Sequence, residues 1–187
     1  MNAFSDRFLS EGTNAYQVNR NTNKQLSWER TNLFWHELSE SEFRSGDYKG
    51  YLLDIYKFLL HGGVKREDMV FMFERVKTGK SCLNAFAKAG VAVVHSFDRA
   101  SKRRFSPVDS RLKLMTINSF KGYDSKAVVI LLEPEKQWSD WKNHLLYVAL
   151  SRGMDYVIVL NGNQTFTEYG KSWESFPVSF PSERAIV

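Results

Sequence analysis

The sequence predicts an α/β fold in which a mostly parallel sheet carries helices on both faces. Short, almost uniformly apolar segments alternate with segments whose apolar residues recur at helical spacing. Each apolar segment is typical of a strand that is buried on both sides, as the strands of parallel sheets are. Helices that alternate with such strands form crossover connections, and these cover the two faces of the sheet.

The composition favours one domain with a sizeable core, since 43% of the 187 residues are hydrophobic and 14% are aromatic. The net charge of +5 at pH 7 favours a polyanionic partner. Cys82 is the only cysteine, so we expect no disulfide framework and no cysteine-rich metal site. Because no stretch reaches the roughly 18 apolar residues of a membrane span, we expect a soluble, cytoplasmic protein without a membrane partner.

The first part of the chain, residues 1–46, is predicted to be an arm with edge elements. Polar residues dominate its beginning, which is typical of a loop. Residues 32–38 fit either a short aromatic strand or the stripe of a helix, and we favour the strand. The apolar residues of 47–61 recur at helical spacing, and Gly62 and Gly63 are expected to end that helix.

A regular alternation of strands and helices starts at Met69 and makes residues 47–165 the main predicted domain. Apolar runs predict strands at residues 69–73, 91–94, 112–116, 127–132 and 156–160. Helices are predicted at residues 81–89 and 138–151, and a basic linker at 96–111. Residues 166–187, which contain Pro177 and Pro181, are predicted to form an irregular tail.

Functional side chains of parallel sheets lie in the loops at the carboxyl ends of the strands. This rule selects residues 74–80, residues 117–124 and the segment after Glu133, and we expect the end of the last helix beside them. The second of these loops holds hydroxyl, amide and lysine groups that can donate to phosphate oxygens. The same residue types would also cap a turn between a strand and a helix, so that alternative stays open.

The end of the last predicted helix carries a second polar cluster, Tyr147 and Arg152. A rigid helix that holds an arginine suits a phosphate contact, because the guanidinium charge is in place before the phosphoryl group acquires its transition-state charge. The alternative is that Arg152 satisfies the last carbonyl groups of its own helix.

The first loop approaches the GxxxxGK[ST] pattern of a phosphate-binding loop, and it lies between a predicted strand and a predicted helix. Its first glycine is missing, and Glu74 would place a carboxylate near the anion. We therefore interpret Ser81 as a residue near a helix N-terminal cap, beside exposed lysines. A compact kinase-like or other NTPase that uses residues 78–81, with Lys80 at the phosphates, is the less favoured alternative.

Taken together, the order and spacing of the two clusters are more specific than either alone. Residues 114–124 resemble motif V of UvrD/Rep-like superfamily 1 helicases, commonly T-[IVL]-H-[SA]-x-K-G-[LW]-E, and residues 145–152 resemble their motif VI, L-x-Y-V-[AG]-[LV]-[TS]-R. The resemblance covers about residues 67–160. It implies the second RecA-like domain, 2A: a P-loop NTPase-type fold that lacks its own Walker A motif.

The resemblance implies a role for each matched residue. Arg152 would be the arginine finger at the γ-phosphate. The nucleotide would be contacted by Arg152, Asp124, Gly122 and Arg75, and the nucleic-acid strand by Thr116, Asn118, Ser119 and Lys121. Arg103 and Arg104 of the basic linker are further candidates for nucleic-acid binding, with a solvated charge run as the alternative. ATP with Mg²⁺ would be bound mainly by a first RecA-like domain that this chain does not contain.

Three positions depart from the family pattern. Asn118 replaces the usual histidine, which keeps hydrogen bonding and loses ring stacking. Asp124 is one methylene shorter than the usual glutamate. Glu74 occupies the place of an arginine in motif IV, which makes Arg75, one position on, the candidate for that contact.

The functional expectation is the second motor domain of an ATP-dependent superfamily 1 helicase or translocase. It would supply the arginine finger and part of the track for a single strand, DNA rather than RNA, and would not hydrolyse ATP alone. The alternative is a stand-alone module that binds nucleic acid or protein through a degenerate RecA-like fold and has no ATPase activity.

Overall fold

The computed structural model describes residues 31–120, 123–135 and 140–175, without the side chains of residues 140–142. The strands are β1 (Asn32–Glu37), β2 (Met69–Phe73), β3 (Val93–His95), β4 (Leu112–Thr116), β5 (Ser125–Leu132), β6 (Gly153–Asn161) and β7 (Glu174–Ser175). The helices are α1 (Glu40–Ser45), α2 (Tyr48–His61), α3 (Val76–Lys88), α4 (Arg99–Arg104), α5 (Asp140–Leu150) and α6 (Thr167–Gly170). No helix of this described part is long and apolar enough to cross a membrane.

The strands form one seven-stranded sheet in the order β3-β4-β2-β5-β6-β1-β7, and every pair is parallel. All residues of β2 and β4 are buried, as the apolar runs predict. Short runs of this kind cannot face water on either side, so helices must cover both faces. The predicted α/β architecture is confirmed.

The two faces of the sheet build two apolar cores. Phe71 and Val129 point into the first, where they pack with Ile55 of α2 and Phe86 of α3. The alternate residues of the same strands point into the second core, which is closed by Leu146, Ala149 and Leu150 of α5. Side chains of successive strand residues point to opposite faces, so two central strands serve both cores.

The favoured strand at residues 32–38 is confirmed as β1, which lies between β6 and β7. Its pairing with β6 runs from Asn32 opposite Tyr156 to Glu37 opposite Asn161. The helix α1 follows it and starts at a capping box in which Ser39 and Glu42 bond reciprocally. The domain boundaries after residues 46 and 165 stay predictions, and residues 1–30 and 176–187 lie outside the described part.

Three predicted elements need correction. The helix predicted at residues 81–89 starts at Val76, so the first loop is much shorter than residues 74–80. The linker at 96–111 contains α4, whose N-cap Asp98 accepts from the backbone N–H of Ser101. Charges at consecutive positions concealed this short helix, because its sequence has no apolar stripe.

Candidate functional site

The structure places the two predicted polar clusters at opposite edges of the sheet. Thr116 ends β4 and pairs with Phe73, which is also level with Leu131 of β5. Arg152 precedes β6, whose first residue pairs with Ser125 at the start of β5. Leu131 lies six residues after Ser125, so the edges are about 20 Å apart along the strand direction. We call the Thr116 side the carboxyl edge and the Arg152 side the amino edge.

The expected position of the last helix beside the carboxyl-edge loops is therefore wrong. Because β5 and β6 are parallel neighbours, α5 must return the chain from the end of one to the beginning of the other. Its last turn consequently lies at the amino edge. The beginning of the predicted helix, residues 138–139, lies outside the described residues.

At the carboxyl edge, a short 3-10 helix (Ile117–Phe120) follows β4. The hydroxyl oxygens of Thr116 and Ser119 are 2.8 Å apart and share a hydrogen bond. Asn118 is exposed, whereas its neighbours Ile117 and Phe120 are buried in the second core. Two apolar anchors thus hold the polar side of this turn at the sheet edge, where it is available to a ligand.

At the amino edge, Arg152 and Asp124 form an ion pair, in which Nη1 donates to Oδ1 over 3.2 Å. The backbone fixes both residues, because the N–H of Ser125 donates to the carbonyl of Arg152 and the N–H of Arg152 donates to Ala149. Within the described part of the chain, the guanidinium binds a carboxylate. The alternative in which it satisfies carbonyl groups at the end of α5 is not what the structure shows.

The ion pair is held loosely. The Arg152 side chain is 30% exposed and that of Asp124 is 62% exposed. Solvent screens a pair of this kind, which contributes only about 0–1 kcal/mol. The Nε of Arg152 is buried, and no described residue accepts its hydrogen. The guanidinium can therefore exchange Asp124 for a stronger anion at small cost.

The segment of residues 117–124 joins the two clusters. Residues 117–120 follow the carboxyl end of β4, residues 123–124 precede the amino end of β5, and β2 lies between these two strands. Ile117 and Phe120 pack in the same core as Leu146 and Ala149 of α5. The predicted site residues Lys121 and Gly122 belong to this segment and lie outside the described residues.

Arg75 lies at the carboxyl edge, two residues after the end of β2. Its guanidinium is 3.5 Å from Oε2 of Glu133 and 3.4 Å from Oε1 of Glu135. The structure thus does not bring Arg75 to Arg152 and Asp124, and the two arginines cannot contact the same phosphate. The carboxylate partners of Arg75 were not predicted, although Glu133 directly follows β5, the parallel neighbour of β2.

The resemblance to a phosphate-binding loop has a structural explanation. Residues 76–81 are helical, and Arg75 occupies the N-cap of α3, so the expectation that Ser81 lies near the cap is wrong. A Cβ atom on Gly79 would lie 2.4 Å from Cζ of Phe97. The glycine thus permits close packing of two elements, and no loop is left here to surround a phosphate.

Arg103 and Arg104 are exposed on α4. This helix follows β3, whose last residue His95 pairs with Leu114 of β4. Phe97 lies two residues after His95, and Thr116 lies two residues after Leu114. The segment that leads to α4 and the polar turn therefore leave the sheet at the same level. These two candidate nucleic-acid contacts therefore share the carboxyl edge with Thr116, Asn118 and Ser119.

Comparison with solved structures identifies a protein with the same fold. The chain is similar to the C-terminal domain of a possible DNA helicase from Lactobacillus plantarum, with a TM-score of 0.51 and 15% sequence identity over 72% of this chain and 75% of that chain. Neither a family model nor a curated protein matches the sequence. An identity this low establishes the shared fold alone, and the chain has the α/β, RecA-like arrangement that the resemblance of residues 114–124 and 145–152 implies.

Proposed function

We propose that this chain is the second motor domain of an ATP-dependent superfamily 1 DNA helicase or translocase. The observation that carries the proposal is the connection between the two clusters. One segment of residues 117–124 begins at the polar turn of the carboxyl edge and ends at Asp124, which binds Arg152 at the amino edge. The fold that the chain shares with a domain described as part of a possible DNA helicase supports the coarse assignment.

The amino edge is the proposed nucleotide side. Arg152 would act as the arginine finger, since its backbone is fixed between α5 and β6 and its guanidinium charge is in place beforehand. Asp124 holds that guanidinium until a phosphate replaces it, and its second carboxylate oxygen is suited to a ribose hydroxyl. ATP with Mg²⁺ would be held mainly by a first RecA-like domain, in the same or another chain.

The carboxyl edge is the side that we propose for the nucleic-acid strand, and we call it the strand side. Thr116 and Ser119 share one hydrogen bond, which leaves one hydroxyl hydrogen for a phosphate oxygen. The exposed amide of Asn118 is a second donor, and Lys121 would add a positive charge. Contacts of this kind bind the backbone of a single strand without reading its bases.

Motion of the joining segment would couple the two sides. Closure on ATP brings Arg152 to the phosphates and takes it from Asp124, which is the last residue of that segment before β5. The turn at the other end then shifts its hold on the strand by about a nucleotide per cycle. Arg75, which is bound to Glu133 and Glu135, has no part in this nucleotide contact.

The test is Arg152→Ala in the chain working with its first RecA-like domain. We expect strand-stimulated ATP hydrolysis to fall by about 10³-fold or more, because an arginine finger contributes 10³–10⁵ in turnover. Strand affinity should stay nearly unchanged. Arg44→Ala is the matched control, since Arg44 also forms an exposed ion pair, with Glu40. Full hydrolysis by the variant, or robust hydrolysis by this chain alone, would contradict the proposal.

A stand-alone binding module is the second candidate. The exposed basic helix α4 favours it, because a polyanion can bind there without a nucleotide. Salt-dependent strand binding that is indifferent to Arg152→Ala, to ATP and to any first domain would support this candidate over the motor.

A further inference from the structure

Three cations of α4 line a shallow depression next to the carboxyl edge, and a fourth cation, from α3, lies near it. The depression has a volume of about 490 Å³ and is lined by Phe97, Asp98, Arg99, Lys102 and Arg103. Lys80 of α3 is close enough to Asp98 for its charge to act on that carboxyl. We call Lys80, Arg99, Lys102 and Arg103 the α4 surface.

Packing explains why α3 contributes to this surface. The ring of Phe97 lies against Gly79, where any side chain would collide with it. Phe97 is only 6% exposed and also packs on Phe73, at a ring distance of 6.0 Å. The contact brings Lys80, the next residue of α3, to the start of α4. The phosphate-loop-like sequence thus supplies a lysine to the α4 surface.

The one carboxylate of the depression is already occupied. Oδ1 of Asp98 accepts from the backbone N–H of Ser101 and Oδ2 accepts from its hydroxyl, both over 2.8 Å. These hydrogen bonds lower the pKa of Asp98, and the charges of His95 and Lys80 lower it further. Asp98 therefore acts as a helix cap, and its single negative charge offsets only part of the positive charge around it.

The cations of the α4 surface form no salt bridge within the described part of the chain. Arg99, Lys102 and Arg103 lie on two turns of a short helix, where like charges three and four residues apart repel each other. Some exposed cations elsewhere in the described part are paired, as Arg111 with Asp109 and Lys126 with Asp68. A cluster kept without such partners is suited to an anion from outside.

The α4 surface continues the proposed strand side. Phe97 lies two residues after the end of β3, and Thr116 ends β4 at the same level; these neighbouring strands are about 4.8 Å apart. A nucleic-acid strand that binds the exposed Asn118 therefore passes the beginning of α4. Because Phe97 is buried, the surface offers no ring for bases to stack on. Its exposed cations are suited to phosphate oxygens.

We propose that the α4 surface binds phosphates of the same single nucleic-acid strand that contacts Thr116, Asn118 and Ser119. The inference rests on the proposed function for its choice of strand. It adds a second, sequence-independent contact zone built from two helices, and it assigns a role to Lys80. Three or four neutralised phosphates give a salt dependence that can be measured.

The experiment follows binding of the full chain to a fluorescent oligothymidylate by anisotropy, over a series of salt concentrations. The test variant combines Arg99→Gln, Lys102→Gln and Arg103→Gln, and Lys80→Gln is measured separately. The control variant removes three charges elsewhere, with Lys57→Gln, Lys65→Gln and Lys88→Gln. Unfolding curves of all variants establish that they are folded.

Each phosphate contact contributes about 0.7 to the slope of log affinity against log salt for a single strand. We expect the test variant to lose about 2 from this slope and to bind about tenfold more weakly at low salt. Lys80→Gln should lose about 0.7. The control should keep the slope of the unaltered chain.

Several results would overturn the inference: no binding by the unaltered chain, an equal loss in the control, or equal affinity for a duplex of the same length. Equal competition by polyglutamate would point to an acidic protein instead of nucleic acid. If Asn118→Ala weakens binding while the test variant does not, the α4 surface is refuted and the proposed motor function stands. That function is tested separately, by the hydrolysis assays with Arg152→Ala and with this chain alone.

Discussion

The substitution Gly79→Ala distinguishes a glycine needed for packing from one needed to bind phosphate. Gly79 lies inside α3 with ordinary helical geometry, and it is not among the glycines with positive φ. A Cβ atom there would lie 2.4 Å from Cζ, 2.5 Å from Cε1 and 3.1 Å from Cε2 of Phe97. The colliding atoms belong to a buried ring, so they cannot move aside into solvent.

Two opposing terms set the size of the effect. Alanine is favoured over glycine by about 1 kcal/mol inside a helix. Overpacking a buried ring costs about 1–3 kcal/mol. We therefore expect Gly79→Ala to destabilise the chain by up to about 2 kcal/mol despite its better helix propensity.

In a protein that also carries Phe97→Leu, we expect Gly79→Ala to increase stability instead of decreasing it. Phe97→Leu removes the three ring atoms that collide with the new Cβ, because leucine ends at its δ carbons. In that background Gly79→Ala keeps its helix gain and should stabilise the chain by about 1 kcal/mol. The coupling between the two substitutions is then about 1–3 kcal/mol.

Urea unfolding of the four proteins, followed by circular dichroism, measures these free energies. The slopes against urea should agree, so that shifts of the midpoint report stability alone. Stabilisation by Gly79→Ala in both backgrounds would refute the packing explanation.

Two further predictions concern the first helix and the cysteine. Hydrogen bonds from Ser39 and Tyr51 lower the pKa of Glu42 to about 2, so its stabilising effect is complete above the ordinary value of 4.5 and is lost as the pH falls towards 2. Glu42→Gln should therefore lower the urea midpoint at pH 7 and lower it much less at pH 2, and an equal shift at both values would contradict this. Burial raises the pKa of Cys82 to about 12, and its side chain is inaccessible. Iodoacetamide should modify Cys82 only after urea unfolds the chain, and rapid modification of the native protein would show that the site opens locally.

The elements that the sequence predicts best are those with the strongest burial. The strands β2 and β4 are apolar over their whole length because helices cover them on both sides. The start of α3 is different, since Gly79 argues against a helix by propensity. Only the ring of Phe97, far along the chain, explains why glycine is needed there.

The sequence by itself determined the fold class, the polar turn after β4 and the arginine after the last helix, because these depend on local pattern and motif spacing. Tertiary structure decided which of these residues meet. Strand order and register place Thr116 and Arg152 at opposite edges, bind Arg75 to Glu133, and bring Lys80 to α4. Such contacts arise when segments far apart in the chain pair with each other, and this pairing cannot be predicted from a local pattern of residues.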